Sequence, residues 1–71
     1  MWIFVRSANT AFNMSHITRL FVEETGSGAA LKAELQGKTT MIGYFGSKPE
    51  AQAKLEDIME RHEAGAPVIR L

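Results

Sequence analysis

Two histidines, His16 and His62, are the side chains of this 71-residue chain with the widest range of chemistry. An imidazole binds metal ions, and Glu23 or Glu63 could complete a site with both rings. A zinc site, however, takes three or four protein ligands that further hydrogen bonds orient. His62 lies near the end of a predicted helix, where the helix dipole stabilises a positive charge. We therefore expect it to be a partly buried or capping residue. The sequence therefore predicts no metal site and no cofactor.

Acid–base chemistry is the next possibility, because carboxylates crowd one side of the segment that contains His62. They are Glu56, Asp57, Glu60 and Glu63. A carboxylate serves as a general acid or base when a cleft raises its pKa. Lys54 and Arg61 stand among these acids, so we expect a solvated helix surface.

Patterns for nucleophilic catalysis and phosphate binding are incomplete. Ser15 stands beside His16, but adjacent residues on a strand point to opposite faces and cannot act as nucleophile and base. The tripeptide at 37–39, GKT, is similar to the end of a phosphate-binding loop. That motif needs a glycine where Lys32 stands and a helix where a strand is predicted. We therefore predict no catalytic residue and no enzymatic activity.

Aromatic side chains suggest a different kind of site, since exposed sheet aromatics stack on nucleic-acid bases. The chain contains Trp2, Phe4, Phe12, Phe21, Tyr44 and Phe45. Such platforms need basic residues around them, and only Arg6, Arg19 and Lys38 qualify in a chain of zero net charge. The aromatics are therefore expected in the core or in a subunit interface, and a nucleic-acid partner is disfavoured.

Size and composition narrow the class of protein. The 71 residues form one domain, 1–71, and a chain this short buries only about 60% of its unfolded surface. It contains no cysteine, so close packing or oligomerisation must stabilise it instead of disulfides. No apolar run approaches the roughly 20 residues of a membrane span. The start, MWIFVRS, lacks the basic region of a signal peptide. We expect a cytoplasmic protein with no membrane partner.

The elements that must position these residues begin with one helix. Ser47 and Glu50 form a capping-box pattern, while Gly65 and Pro67 mark the helix end. The apolar stripe of the predicted helix is Ala51, Leu55, Ile58, Met59 and His62. A stripe this narrow suits packing on one face of a sheet.

The remaining segments predict short strands joined by tight turns. They are Trp2–Arg6, a brief strand near Ala11–Met14, His16–Glu24, Ala29–Gln36 and Thr39–Phe45. For Ala29–Gln36, a short helix is the alternative, because its residues also form helices well. Gly43 inside the last strand indicates a bulge or a close backbone approach.

The order of these elements predicts an α+β fold. It is an antiparallel β-meander of four to five strands, with one C-terminal helix packed on one face. A short strand-like tail, Pro67–Leu71, follows the helix. The tail is expected to pair as an edge strand, either within its own chain or on a neighbouring chain.

Two stretches of the chain support a resemblance. Trp2, Arg6, Ser7, Tyr44, Ser47, Ala51, Leu55 and Ile58 carry it, the last five within GYFGSKPEAQAKLEDI. They resemble a group of small bacterial and phage-associated proteins of unknown function. Those proteins begin with a short Trp/Ile strand and Arg-Ser, and have G-x-Y/F-x-S/T-x-E-x-A-x-x-x-L-x-x-I near the helix. The similarity extends to about Glu63, and the Pro67–Leu71 tail departs from it. The resemblance implies a fold and transfers no activity.

These observations predict a non-enzymatic interaction module that forms a homo-oligomer, with a two-fold dimer favoured. The expected interface residues are Trp2, Phe4, Leu20, Val22, Val68, Ile69 and Leu71. One alternative is a small nucleic-acid-associated or regulatory protein. A second is a small-ligand binder or enzyme whose site lies between subunits and uses Arg6, His16 or His62.

Overall fold

A computed structural model describes all residues, 1–71, as six strands and one helix. In chain order they are β1 (Trp2–Val5), β2 (Thr10–Asn13), β3 (Ile17–Glu24), β4 (Ala29–Leu35), β5 (Lys38–Phe45), α1 (Lys48–Glu63) and β6 (Val68–Arg70). Single 3-10 turns follow β1 at Arg6–Ala8 and β2 at Met14–His16. The α+β class, the C-terminal helix and the short strand after it are confirmed, and the segment after Gly28 is a strand rather than a helix.

The strands form two sheets rather than one continuous meander. The small sheet has the order β2-β1-β6, and the large sheet has the order β3-β4-β5. The break falls at the turn after β2, where the Asn13 side chain accepts hydrogen bonds from the Ser15 amide at 3.0 Å and the Ser15 hydroxyl at 2.9 Å. Asparagine in this local bond stabilises a turn, so the chain leaves the small sheet before β3 begins.

The tail pairs within its own chain. Strand β6 runs parallel to β1, with Ile69 opposite Ile3. The Leu71 amide donates to the Phe4 carbonyl at 2.8 Å, and the Arg6 amide donates to the Leu71 carbonyl at 3.1 Å. Both ends of the chain therefore belong to the small sheet, and the alternative between pairing in cis and in trans is resolved in favour of cis.

The helix begins and ends where the sequence predicts. The Ser47 hydroxyl accepts from the Glu50 amide at 3.4 Å and lies 3.3 Å from the Glu50 carboxylate. At the other end Gly65 has φ +84°, which favours glycine. The Gly65 amide donates to the His62 carbonyl at 3.1 Å, and the Ala66 amide donates to the Arg61 carbonyl at 3.0 Å. This pair of bonds is a Schellman motif.

One core joins both sheets and the helix. Its buried members are Ile3, Val5, Leu31, Ala33, Ile42, Ile58 and Ile69. The helix lies on the inner face of the large sheet and buries Ala51 and Ile58, whereas Met59 and His62 of the predicted stripe remain exposed. The helix therefore covers the sheet with a narrower stripe than the sequence pattern suggests.

The irregularity predicted at Gly43 is present. In the ladder between β4 and β5, Leu31 lies opposite Gly43 and Lys32 lies opposite Met41, so Ile42 is the extra residue of a bulge. The bulge leaves Ile42 in the core. A Cβ atom on Gly43 would lie 3.0 Å from the Phe45 ring, so a larger residue here would have to displace that ring.

Candidate functional site

The outer face of the small sheet carries an apolar pair that nothing in the chain covers. The strand register places Trp2 between Asn13 and Val68. Trp2 is 48% exposed and Val68 is 39% exposed. Phe4, two residues along the same strand, points to the same face and is half-buried. We call Trp2, Phe4 and Val68 the aromatic patch.

Polar residues frame the aromatic patch without breaking it. Phe4 lies between Ala11 and Arg70 in the register, and Trp2 has Asn13 on its other side. Arg70 is the one charged side chain among these six positions of the face. An outer sheet face with a single charge at its margin differs from an ordinary solvated face, on which polar and charged residues predominate.

The outer face of the large sheet provides the comparison. Its residues form contacts among themselves, because Lys32 pairs with Glu23 at 2.8 Å and the Arg19 guanidinium lies 4.1 Å from the centre of the Phe21 ring. Tyr44 is 46% exposed, but its hydroxyl is bonded within the chain. Charged and bonded residues therefore divide the apolar area of this face.

The structure separates the seven predicted interface residues. Trp2, Phe4 and Val68 lie together in the aromatic patch. Ile69 is 1% exposed and belongs to the core. Leu20, Val22 and Leu71 are half-buried and pack against that core. Only the aromatic patch therefore presents predicted residues together on an uncovered face.

A second candidate site is a groove where β5, α1 and the ends of β1 and β6 meet. It has a volume of about 550 Å³. Its lining residues are Arg6, Ser7, Ile42, Gly43, Tyr44, Phe45, Lys54, Arg70 and Leu71. The three cations Arg6, Lys54 and Arg70 line it, and no acidic residue does. We call it the basic groove.

Sequence reasoning considered Arg6 but missed the groove. Arg6 follows β1 and Arg70 ends β6, 64 positions apart in sequence. They approach because β1 and β6 are parallel neighbours, so the two strands end on the same side. The sequence does contain a signal for the groove, because an arginine stands at the same end of both terminal strands. This signal becomes informative only when the tail is known to pair with β1.

The histidines occupy separate environments. His62 lines a smaller groove of about 440 Å³ between α1 and β3, together with Leu20, Leu55 and Met59. His16 lies exposed in the turn before β3 and does not line that groove. No group of three or more His, Cys, Asp or Glu side chains is placed to hold a metal ion.

Among the helix carboxylates, Asp57 forms the ion pairs, and they lower its pKa. Hydrogen bonds from Arg61, and then from Lys54, hold the pKa of Asp57 below its ordinary value of 3.8. The Arg61 Nε lies 3.1 Å from both Asp57 oxygens, and the Lys54 Nζ lies 3.3 Å from one of them. Glu56, Glu60 and Glu63 are exposed. A carboxylate with a lowered pKa is a poor proton donor near neutral pH.

Comparison with protein-family models, with curated proteins and with solved structures gives no significant match to this chain. The resemblance to small bacterial and phage-associated proteins therefore stays a prediction. The single helix, Lys48–Glu63, is neither long nor apolar enough to cross a membrane.

Proposed function

We propose that this chain is a non-enzymatic interaction module that self-associates through the aromatic patch. The observation that carries the proposal is the register of Trp2 beside Val68 on an outer sheet face, both side chains well exposed. Burial of neighbouring exposed apolar groups against a partner is favourable, because it removes them from water.

The composition of the face favours a protein partner. Interface cores are enriched in aromatic residues and arginine and depleted in lysine and acidic residues, and Trp and Arg are the most frequent hot spots. The aromatic patch with Arg70 at its margin has this composition. The large sheet, with Arg19, Glu23, Lys32 and Glu34 on its outer face, does not.

A second copy of the chain is the partner that we propose. The net charge is zero, so two copies do not repel one another as wholes. A two-fold axis across the strands would place Trp2 of each copy against Phe4 of the other. The same aromatic contact then forms twice, which is the self-complementarity that an isologous interface requires.

The size of the face predicts weak association. Three strands about 4.8 Å apart, two with four residues and one with three, at about 3.4 Å per residue, cover about 180 Å², against roughly 800 Å² per partner in a standard interface. The chain exposes 4572 Å², close to the roughly 4,400 Å² expected of a closed monomer of its mass. We therefore expect a folded monomer in reversible equilibrium with a dimer, with a dissociation constant in the micromolar to millimolar range.

The test is sedimentation equilibrium of the full chain over a wide concentration range, combined with the fluorescence of Trp2. Trp2 is the single tryptophan, so its emission reports on the patch alone, and we expect a blue shift as concentration rises. Val68→Ser should weaken association and abolish the shift. Met41→Ser removes an equally apolar residue, 55% exposed on the other sheet, and should change neither.

Two results would contradict self-association through this face. One is a monomer at millimolar concentration with unchanged Trp2 emission. The other is a dimer that Met41→Ser weakens as much as Val68→Ser does, since that would place the contact on the large sheet.

A further inference from the structure

We propose that the basic groove binds a small phosphate monoester that carries an apolar or aromatic group. The proposal does not require self-association, although Arg70 borders both the aromatic patch and the groove. It rests on three features of the groove: its charge, its paired strand ends and its apolar wall. Its volume of about 550 Å³ falls in the range of small-molecule sites.

The charge of the groove is only partly compensated. The ion pairs of the chain engage Lys32, Lys48, Lys54 and Arg61. Arg6 and Arg70 have no Asp or Glu carboxylate within ion-pair distance, and both line the groove. Cations gathered around one concavity raise its potential, so an anion that enters relieves their mutual repulsion.

The three cations have different roles in this arrangement. Lys54 forms an ion pair with Asp57 at 3.3 Å. It therefore adds positive potential to the groove but does not offer a free hydrogen-bond donor. The two arginines keep their donors available, and a planar guanidinium binds two phosphate oxygens at once. Ser7 adds a hydroxyl that donates or accepts beside Arg6.

The backbone holds the two arginines at defined positions. Arg6 is tied to the end of β6, because its amide donates to the Leu71 carbonyl at 3.1 Å. Arg70 belongs to β6 itself, opposite Phe4 in the ladder with β1. Side chains that start from paired strand ends lose less entropy on binding than side chains on a free loop.

The wall of the groove specifies the rest of the ligand. Ile42, Phe45 and Leu71 supply apolar surface next to the cations. A free phosphate ion would leave that surface wet, whereas an aryl or alkyl phosphate would cover it. A nucleic-acid polymer needs a longer basic track than one groove in a chain of zero net charge provides.

The experiment is an NMR titration of the isotope-labelled full chain with phenyl phosphate at low salt. We expect saturable shifts centred on residues 6–7, 42–45 and 70–71. Inorganic phosphate should bind more weakly at the same residues, and phenol, which lacks the charge, should not bind there. These two arms separate the contribution of the charge from that of the ring.

Charge-matched variants make the test specific. Arg6→Gln and Arg70→Gln should each raise the dissociation constant for phenyl phosphate about tenfold, the usual effect of removing a hydrogen bond to a charged group. Lys38→Gln removes the same charge from an exposed position outside the groove, where no carboxylate pairs with Lys38, and should leave affinity nearly unchanged. Val68→Ser, designed against self-association, should bind phenyl phosphate like the unaltered chain, so the two proposals fail separately.

The proposal is overturned by either of two outcomes. One is the absence of saturable shifts at the groove up to millimolar phenyl phosphate. The other is an equal loss of affinity in Lys38→Gln and Arg6→Gln, which would show that the anion follows overall charge and not the groove.

Discussion

The hydroxyl of Tyr44 lies 2.6 Å from the hydroxyl of Ser27, so a side chain of β5 is bonded to the turn between β3 and β4. The Thr25 hydroxyl lies 3.0 Å from the same phenolic oxygen. The three hydroxyls form a small network across one end of the large sheet. Strand β5 is thereby connected to the turn between β3 and β4 at the exposed end of the sheet.

Tyr44 should ionise at lower pH than an ordinary tyrosine. Hydrogen bonds from Ser27, and then from Thr25, stabilise the phenolate and lower its pKa from 10.0. Because the folded pKa lies below the unfolded one, ionisation of Tyr44 adds stability that is fully present above pH 10.0 and is lost as pH falls through the folded pKa.

The measurement is an ultraviolet titration of the folded chain, in which Tyr44 is the single tyrosine. The Ser27→Ala variant should titrate at higher pH than the unaltered chain, because it lacks the larger of the two causes. An identical midpoint in both proteins would show that the Ser27 hydroxyl does not stabilise the phenolate.

Gly28→Ala should destabilise the chain although Gly28 lies in a turn. A Cβ atom there would overlap the Phe45 carbonyl oxygen and lie 3.0 Å from the Tyr44 hydroxyl. Forced repacking of this kind costs about 1–3 kcal/mol of the free energy of unfolding. Gly26→Ala is the matched control, because its Cβ would meet nothing within 4 Å. Denaturant titration that shows equal stability for both variants would refute the close approach of β5 to this turn.

The sequence predicted the elements that local chemistry determines. Ser47, Glu50 and Gly65 have specific side-chain or backbone requirements, and the helix begins and ends where they indicate. The strand at 29–35 and the irregularity at Gly43 likewise follow from alternation and from a glycine inside a strand. These signals act over a few residues, so the sequence alone contains them.

The division into two sheets and the basic groove could not be predicted in the same way. The third strand of the small sheet and the basic groove depend on the parallel pairing of β6 with β1, which joins residues more than 60 positions apart. Alternation of apolar and polar residues indicates that a strand has a buried face, but it does not identify the strand with which it pairs. Ile69 is an example. From the sequence, this apolar tail residue fits a subunit interface as well as the core, and only its pairing with Ile3 places it in the core.

Ile69 should therefore contribute to folding, and Val68 should not. Ile69 is buried opposite Ile3, whereas Val68 is exposed on the outer face. Ile69→Ala should cost about 2–5 kcal/mol of the free energy of unfolding, and Ile69→Val about 0.5–1.5 kcal/mol. Val68→Ala should change it by less than about 0.5 kcal/mol.

Denaturant titration compares these variants at low protein concentration, which minimises the proposed self-association. If Ile69→Ala does not fold, the milder Ile69→Val remains measurable. A loss of stability in Val68→Ala as large as that in Ile69→Val would mean that the tail presents its other face to the core.

Asp57 should support the helix at neutral pH and lose this effect in acid. Arg61, and then Lys54, lower the pKa of the Asp57 carboxyl from 3.8. Because the folded pKa is the lower one, the stabilisation is fully present above pH 3.8 and is lost as pH falls through the folded value. Asp57→Asn should therefore be less stable than the unaltered chain at neutral pH, and the two should converge in strong acid.

Denaturant titrations across this pH range measure the difference between the two proteins. Glu56→Gln is the control, because Glu56 is an exposed neighbour on the same helix that forms no ion pair. Because it breaks no ion pair, Glu56→Gln should cost less stability at neutral pH than Asp57→Asn does. Added salt should narrow the gap for Asp57→Asn, since the pairs with Arg61 and Lys54 are partly exposed and open to screening. A gap that persists unchanged in acid would show that the Asp57 side chain acts through packing or helix propensity and not through its charge.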